Sequence, residues 1–133
     1  GKDLDLTRVA VSRQDGELTV TWTTAKALPT TGTFLLSIFT ATPEGDDAKQ
    51  FGVKYQGGKQ TAYFVFDMSE VQQENVPGAA RRSGRVLTGT FPESGLSESF
   101  HWRAIASREG NDVDFCPEEG DDVLNPATIT YSD

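Results

Sequence analysis

The stretch Asp15-Gly16-Glu17-Leu18-Thr19-Val20-Thr21-Trp22-Thr23 carries the clearest structural signal in the sequence. From Leu18 onward its even positions are apolar and its odd positions are threonine, which is the two-residue period of a strand with one buried and one wet face. The Asp-Gly step before it favours a tight hairpin turn. Before that turn, Val9 and Val11 repeat the same period. We therefore predict an N-terminal β-hairpin.

The apolar period changes phase near the start of the chain. Leu4 and Leu6 occupy even positions, whereas Val9 and Val11 occupy odd ones. An extra residue in one strand of a pair shifts the phase in this way. We predict a β-bulge, or a crossing between sheets, between Leu6 and Val9.

The rest of the chain repeats the strand pattern. Residues 33–40 are almost continuously apolar and predict a central strand packed on both sides, and Gly57-Gly58 predicts a second hairpin between 51–55 and 61–67. Further strands are expected at 86–91, 100–106 and 127–131. Between them we expect a polar excursion over 69–83, with one helical turn after Ser69, and an acidic loop over 109–122. Eight or nine short strands predict an all-β fold, a two-sheet antiparallel β-sandwich of jelly-roll or immunoglobulin-like type, in one domain over residues 1–133.

Composition narrows the possible partners. The chain has 133 residues and a net charge of −8, which argues against nucleic acid and anionic lipid as partners. No apolar stretch reaches the roughly 20 residues that a membrane-spanning helix needs, so we expect no membrane insertion. No signal peptide is visible at the start, so we expect either a cytosolic chain or a mature domain without its targeting segment. Glycine, serine and threonine richness favours the second, secreted or cell-envelope, alternative.

Two segments carry a family resemblance. Residues 5–11 followed by 15–22, and later 88–92 through 102–104, resemble the extracellular β-sandwich modules of the DOMON and family 9 carbohydrate-binding type in actinobacterial secreted proteins. The resemblance implies a non-catalytic extracellular or cell-envelope module with a binding or structural role. Its partner would be a carbohydrate or a protein. An alternative that it also implies is a carbohydrate-binding module appended to a secreted enzyme.

The residues give little support for catalysis. His101 is the only histidine and Cys116 the only cysteine, and no Gly-x-Ser-x-Gly motif is present. The acidic residues around Cys116 would raise the pKa of its thiol and suppress the reactive thiolate. We therefore expect no enzymatic activity, with a small hydrolase that uses carboxylates alone as the second alternative.

Two sets of side chains are candidate binding residues. Tyr63, His101 and Arg103 could share a polar face and bind a ligand, because convergent polar groups on a concave surface are the usual mark of a binding site. Arg81, Arg82 and Arg85 stand together in an acidic chain and could contact an anionic partner. The plainer alternative for the arginines is pairing with nearby acidic side chains at the surface.

Two further sets concern metals. Asp112, Asp114 and Glu118 lie in the acidic segment and could supply oxygen ligands to a structural calcium ion, although the spacing does not match an EF-hand. Met68 and His101 are the only methionine and histidine, and some DOMON domains are b-type cytochromes with such axial ligands. We expect Met68 instead to fill a gap at a strand end. Apart from the possible calcium ion, we expect no cofactor.

Overall fold

The structure is a computed structural model that describes residues 4–42, 44–93, 95–97, 99–124 and 128–132, without the side chains of 99, 115–124 and 128–132. The described residues form strands and no helix. No helix that could span a membrane therefore occurs among them. The strands are β1 (Leu6–Gln14), β2 (Glu17–Thr24), β3 (Thr33–Ala41), β4 (Lys49–Gln56), β5 (Lys59–Asp67), β6 (Gln72–Asn75), β7 (Arg81–Ser83), β8 (Val86–Pro92), β9 (Ser99–Arg108), β10 (Asn111–Leu124) and β11 (Thr128–Ser132).

The strands form two antiparallel sheets, which confirms the predicted β-sandwich. One sheet has the order β11-β1-β2-β8-β7 and the other the order β10-β9-β3-β4-β5-β6. Immunoglobulin variable domains have strands A-B-E-D in one sheet and G-F-C-C′-C″ in the other. With β6 and β11 as additions, the observed order is the same. Of the two predicted topologies, the immunoglobulin-like one is therefore found.

The N-terminal hairpin is formed as predicted. Asp15 and Gly16 have φ angles of 54° and 80°, the positive values that a two-residue hairpin turn requires at both positions. The register between β1 and β2 shifts between Leu6 and Arg8, which confirms the predicted bulge. This shift lets Leu6 and Val9 both face the core in spite of their opposite parity.

The strand β3 lies in the centre of its sheet, between β4 and β9, as the apolar run predicted. Phe34, Leu36 and Ile38 are buried in the core between the sheets. Leu35 and Phe39 alternate with them and are only half-buried. The prediction that this strand packs on both sides is therefore wrong: its second face carries apolar side chains but has no further layer upon it among the described residues.

The segment 69–83 differs from the prediction. It contains the short strands β6 and β7, and a tight turn takes the place of the expected helical turn. The Asp67 Oδ1 atom accepts hydrogen bonds from the backbone N–H groups of Ser69 and Glu70, at 3.0 and 3.1 Å. An aspartate that binds the backbone ahead of it in this way favours a turn over a helix.

The segment 109–122 is also not a loop. Glu109 and Gly110 have φ angles of 53° and 84° and form a hairpin turn, after which β10 pairs with β9 with two register shifts. The charged composition is compatible with an edge strand, because edge strands tolerate and even favour charge. The last predicted strand is present as β11, and residue 127 lies outside the described residues.

A cluster of aromatic rings joins the two sheets. The Phe91 ring on β8 meets the rings of Trp22, Phe51 and Tyr63 edge-on, at centroid distances of 6.4, 5.5 and 5.3 Å. The Trp22 Nε1–H group also donates to the Ser37 carbonyl in the other sheet, at 3.2 Å. A Cβ atom at Gly89 would lie 2.9 Å from the Phe91 ring, so only glycine lets the ring pack here.

The Tyr63 hydroxyl completes the edge of the five-stranded sheet. It donates to the Thr90 carbonyl at 2.7 Å and accepts from the Thr90 N–H at 2.6 Å. The neighbouring strand β7 pairs only with residues 86–88, so it does not reach Thr90. The Tyr63 side chain, from the opposite sheet, therefore satisfies the Thr90 backbone groups that a neighbouring strand would otherwise bond.

We expect Tyr63→Phe to lower the free energy of unfolding by about 2 kcal/mol, because it leaves a part-buried N–H and a carbonyl without partners. Urea unfolding measures the loss. Tyr55→Phe is the matched control, since the Tyr55 ring is buried against Phe34 but its hydroxyl makes no hydrogen bond among the described residues. Equal losses in the two variants would contradict the bridging role of Tyr63.

Candidate functional site

One end of the sandwich, here called the closed end, carries three connections that are held together by backbone hydrogen bonds. In variable domains the connections between strands B and C, C′ and C″, and F and G carry the binding loops. The equivalents here are residues 25–32 and the two-residue turns 57–58 and 109–110. Backbone bonds from Gly57 N to Gly32 O and from Glu109 N to Thr33 O, both 2.9 Å, hold these connections together. Of these three connections, only 25–32 is longer than two residues.

The six-stranded sheet has an outer face that points away from the core. It carries the half-buried or buried apolar side chains of Leu35, Phe39, Phe64, Phe66 and Ile105. Phe39 lies centrally, because its cross-strand neighbours are Gln50 on β4 and Arg103 on β9. The outer face is thus apolar at its centre and bordered by polar groups.

Two cavities adjoin on this face. The first, the His101 cavity, has a volume of about 370 Å³ and is lined mainly by Phe39, Ala41, Ala48, Met68, His101 and Arg103. The second, the Ser37 cavity, has a volume of about 310 Å³ and is lined mainly by Leu35, Ser37, Phe39, Lys54, Ser107 and Asp112. Phe39 lines both cavities. A pair of cavities of this size with mixed lining is the strongest candidate site on the described surface.

The predicted ligand-binding set is only partly brought together. His101 and Arg103 lie on the outer face and line the His101 cavity. Tyr63 lies on the inner side, 7% exposed, and its hydroxyl is bonded to Thr90. The grouping of Tyr63 with the other two is therefore wrong. Residues 63–66 are aromatic or apolar at both parities, so alternation could not assign the inner side.

The three arginines do not form one cluster. Arg82 turns inward, where its guanidinium lies 5.0 Å from the centre of the Tyr55 ring and 5.5 Å from that of Phe34. Its Nη2 atom donates to the carbonyls of Leu28 and Pro29. The prediction of a joint anion-binding surface is therefore wrong for Arg82, which packs as a structural residue. Arg81 and Arg85 are exposed, and their contact with an anionic partner stays a prediction.

The predicted calcium ligands are directed apart. Asp112 accepts a hydrogen bond from the Ser107 hydroxyl at 2.7 Å, and Asp114 accepts one from the Leu6 N–H of the other sheet at 2.7 Å. The register shift between Asp112 and Asp114 turns their side chains to different sides, so the expectation of two carboxylates on one face is wrong. The Glu118 side chain lies outside the described set. Within that set, no three His, Cys, Asp or Glu residues are grouped as metal ligands.

Met68 and His101 line the same cavity. His101 pairs with Ala41 across β9 and β3, and the Met68 N–H donates to the Ala48 carbonyl at 2.9 Å. Ala41 and Ala48 therefore form the floor between the two residues. The Cα atoms of His101 and Met68 are three strand spacings, or about 14 Å, apart. The predicted role of Met68 as a gap filler is not what is found, since it is 43% exposed at the cavity rim.

A buried lysine fixes the position of Met68. Lys49, 3% exposed, donates to Asp47 and to Asp67, both at 3.1 Å, and Asp67 in turn forms the turn that begins at Met68. Burial, the largest single influence, lowers the pKa of Lys49, but the bonds and charges of the two aspartates outweigh it and raise this pKa overall. The backbone N–H of Glu70 and then the Lys49 ammonium lower the pKa of Asp67.

Two site residues, Ser37 and Lys49, escape the sequence prediction. Ser37 lies within a stretch predicted to be buried on both sides, and Lys49 belongs to no motif. One signal was available: Ser37 is a polar residue in the middle of an apolar run. A scan against protein-family models gives no match to the chain, and a search of curated proteins gives no significant match.

We expect Asp67→Asn to be less stable than wild type at pH 7, because it removes the charge that faces Lys49. The pKa of Asp67 is lowered in the fold, so its contribution is present above the ordinary value of 3.8 and is lost as the pH falls through the folded-state pKa. The difference between variant and wild type should therefore shrink below pH 3.8. Urea unfolding over a pH series measures it.

Asp46→Asn is the control for this experiment, since Asp46 is an exposed aspartate between β3 and β4 that makes no ion pair among the described residues. In the alkaline range, the raised pKa of Lys49 means that its contribution persists up to 10.5 and is lost above it. A stability difference for Asp67→Asn that stays constant down to pH 2.5 or so would contradict the ion-pair account.

Proposed function

We propose that the chain is a non-catalytic binding module of the cell exterior or cell envelope, and that it binds a carbohydrate chain across the outer face of its six-stranded sheet. The observation that carries the proposal is the position of Phe39, which lines both cavities of that face. One ring at the junction of two cavities can stack against a ligand that extends through both. Aromatic rings bind the C–H faces of sugars through the same apolar contact that they make in protein cores.

The lining of the Ser37 cavity supports a neutral, hydroxyl-rich ligand. Lys54 and Asp112 carry opposite charges, and the Ser107 hydroxyl is held by Asp112 at 2.7 Å. Donors and acceptors thus surround the apolar side chains of Leu35 and Phe39. A sugar ring matches this arrangement because its hydroxyls lie around its edge and its C–H groups lie on its faces.

The carboxylate-only hydrolase is less well supported than a binding role. Asp112 is the single carboxylate among the described residues that line the two outer-face cavities. A smaller cavity of about 160 Å³ holds Asp67 and Glu74. General acid catalysis needs a carboxyl group with a raised pKa, whereas Asp67 binds Lys49 and has a lowered one.

We expect Phe39→Ala to weaken carbohydrate binding tenfold or more, through loss of the stacking contact. A glycan array followed by calorimetry on the best neutral oligosaccharide measures the change. Phe66→Ala is the matched control, because Phe66 is a half-buried phenylalanine of the same face that does not line either cavity. The Phe66→Ala variant should bind the oligosaccharide with the affinity of the wild-type protein.

Three outcomes of this experiment differ in meaning. Equal losses in the two variants would point to general disturbance of the face and contradict the role of Phe39. Folded protein that binds no glycan would contradict the carbohydrate ligand and favour a protein partner. Hydrolysis of an array glycan, abolished by Asp112→Asn, would contradict the non-catalytic assignment.

A haem-binding function is the second candidate. The observation that favours it is the placement of Met68 and His101 on opposite sides of the alanine floor of one apolar cavity. Thioether and imidazole groups are axial ligands of haem iron, so the donor types fit this group. Met68 and His101 would hold the iron, Ala41 and Ala48 would leave space for the ring, and the bound group would supply one-electron transfer.

An absorbance titration with haemin tests the second candidate. If Met68 and His101 are the ligands, the protein gives a sharp Soret band at one equivalent, and Met68→Ala and His101→Ala each shift or abolish it. Met68→Leu keeps the bulk of the side chain and separates ligation from packing. A band that is unchanged in the three variants, or no band at all, would eliminate this function.

A further inference from the structure

Ser37 holds a buried hydroxyl without a partner. The residue is 1% exposed, and its Oγ atom makes no hydrogen bond to any part of the chain that the structure describes. Its backbone carbonyl, in contrast, accepts the Trp22 Nε1–H at 3.2 Å. A buried hydroxyl that loses water and gains no partner destabilises the folded state. Such a group calls for an explanation outside the free fold.

The surroundings of Ser37 do not require a hydroxyl. Its cross-strand neighbours are Gly52 on β4 and Ile105 on β9, and its same-face neighbours along β3 are Leu35 and Phe39. Alanine would fill the same space except for one oxygen atom and would bring no unsatisfied group. Packing alone therefore favours alanine at this position.

Ser107 differs from Ser37 in that its hydroxyl has a hydrogen-bond partner. Both serines lie on the outer face and line the Ser37 cavity. Ser107 is 8% exposed and its hydroxyl donates to Asp112, so the hydrogen-bonding need of this hydroxyl is met within the chain. Ser37 has no such acceptor and lies deeper, on the central strand of the sheet.

We propose that the Ser37 hydroxyl is the specificity-determining group of the Ser37 cavity and hydrogen-bonds one hydroxyl of a neutral sugar residue. The proposal rests on the carbohydrate-binding function proposed above. A sugar hydroxyl can both donate to and accept from Ser37, and the low local polarity between Leu35 and Phe39 strengthens the bond. Because Ser37 is buried, the side chains that cover its hydroxyl must move to admit the sugar hydroxyl.

Replacing Ser37 by alanine should change the sugar affinity and the thermal stability of the protein in different ways. Ser37→Ala removes an unsatisfied group from the free protein, so the thermal midpoint should stay level or rise by about 3 °C. The same change removes a hydrogen bond from the complex, so affinity should fall about tenfold. A merely structural serine would lower both quantities together.

The test uses calorimetric titration of the full chain with cellohexaose, xylohexaose and mannohexaose, together with thermal unfolding. The variants are Ser37→Ala, Ser107→Ala as the matched serine control for the stability measurement only, and Phe39→Ala. Ser107→Ala should lower the thermal midpoint, because it takes away a hydroxyl that bonds to Asp112. A tenfold weaker binding of Ser37→Ala with an unchanged or higher midpoint supports the proposal.

Three results would overturn it, and they differ from one another. Hexasaccharide binding that Phe39→Ala weakens but Ser37→Ala leaves unchanged would overturn the role of Ser37 and retain the proposed function. Absence of binding of all three sugars to folded wild-type protein would overturn the proposed function and this inference with it. A midpoint lowered by Ser37→Ala would also overturn it, since the hydroxyl would then serve the fold.

Discussion

The contact of the Phe91 ring with rings from both sheets is the interaction on which the structure depends most. The two sheets are joined by side chains, and the chain has a single cysteine, so no internal disulfide can assist them. Three pairs of residues also form hydrogen bonds between the sheets: Trp22 with Ser37, Tyr63 with Thr90, and Leu6 with Asp114. The aromatic packing and these hydrogen bonds together fix which side of each strand faces the core. Since side chains alternate along a strand, the same contacts also fix which residues form the outer face.

Much of the fold could be predicted from local patterns in the sequence. The hairpin around Asp15-Gly16 and the bulge after Leu6 follow from alternation and turn chemistry within a few residues. The strands β6, β7 and β10 could not be predicted, although each pairs with the strand next to it in the sequence, because their residues are mostly polar or charged and lack the apolar alternation of a half-buried strand. The acidic composition of 109–122 is typical of a loop, yet an edge strand in contact with water tolerates the same residues.

The candidate site was less predictable than the fold. His101 and Arg103 were placed on one face because their strand alternates cleanly. Tyr63 was misplaced because its strand is apolar at both parities, and Arg82 because a guanidinium can pack on the Phe34 and Tyr55 rings as readily as it faces solvent. The importance of Ser37 depends on what surrounds its hydroxyl in three dimensions, which no local pattern contains.

The short turns at the closed end have a consequence for protein engineering. Residues 57–58 and 109–110 occupy the positions that bear hypervariable loops in antibody variable domains, yet they connect their strands by the minimum number of residues. The strands on either side are anchored by the core and by backbone pairing, and exposed turn tips tolerate insertions well. Longer randomised segments could therefore be grafted at both turns. Because the sandwich closes without a disulfide, such a scaffold would suit selection of binders inside reducing cellular compartments.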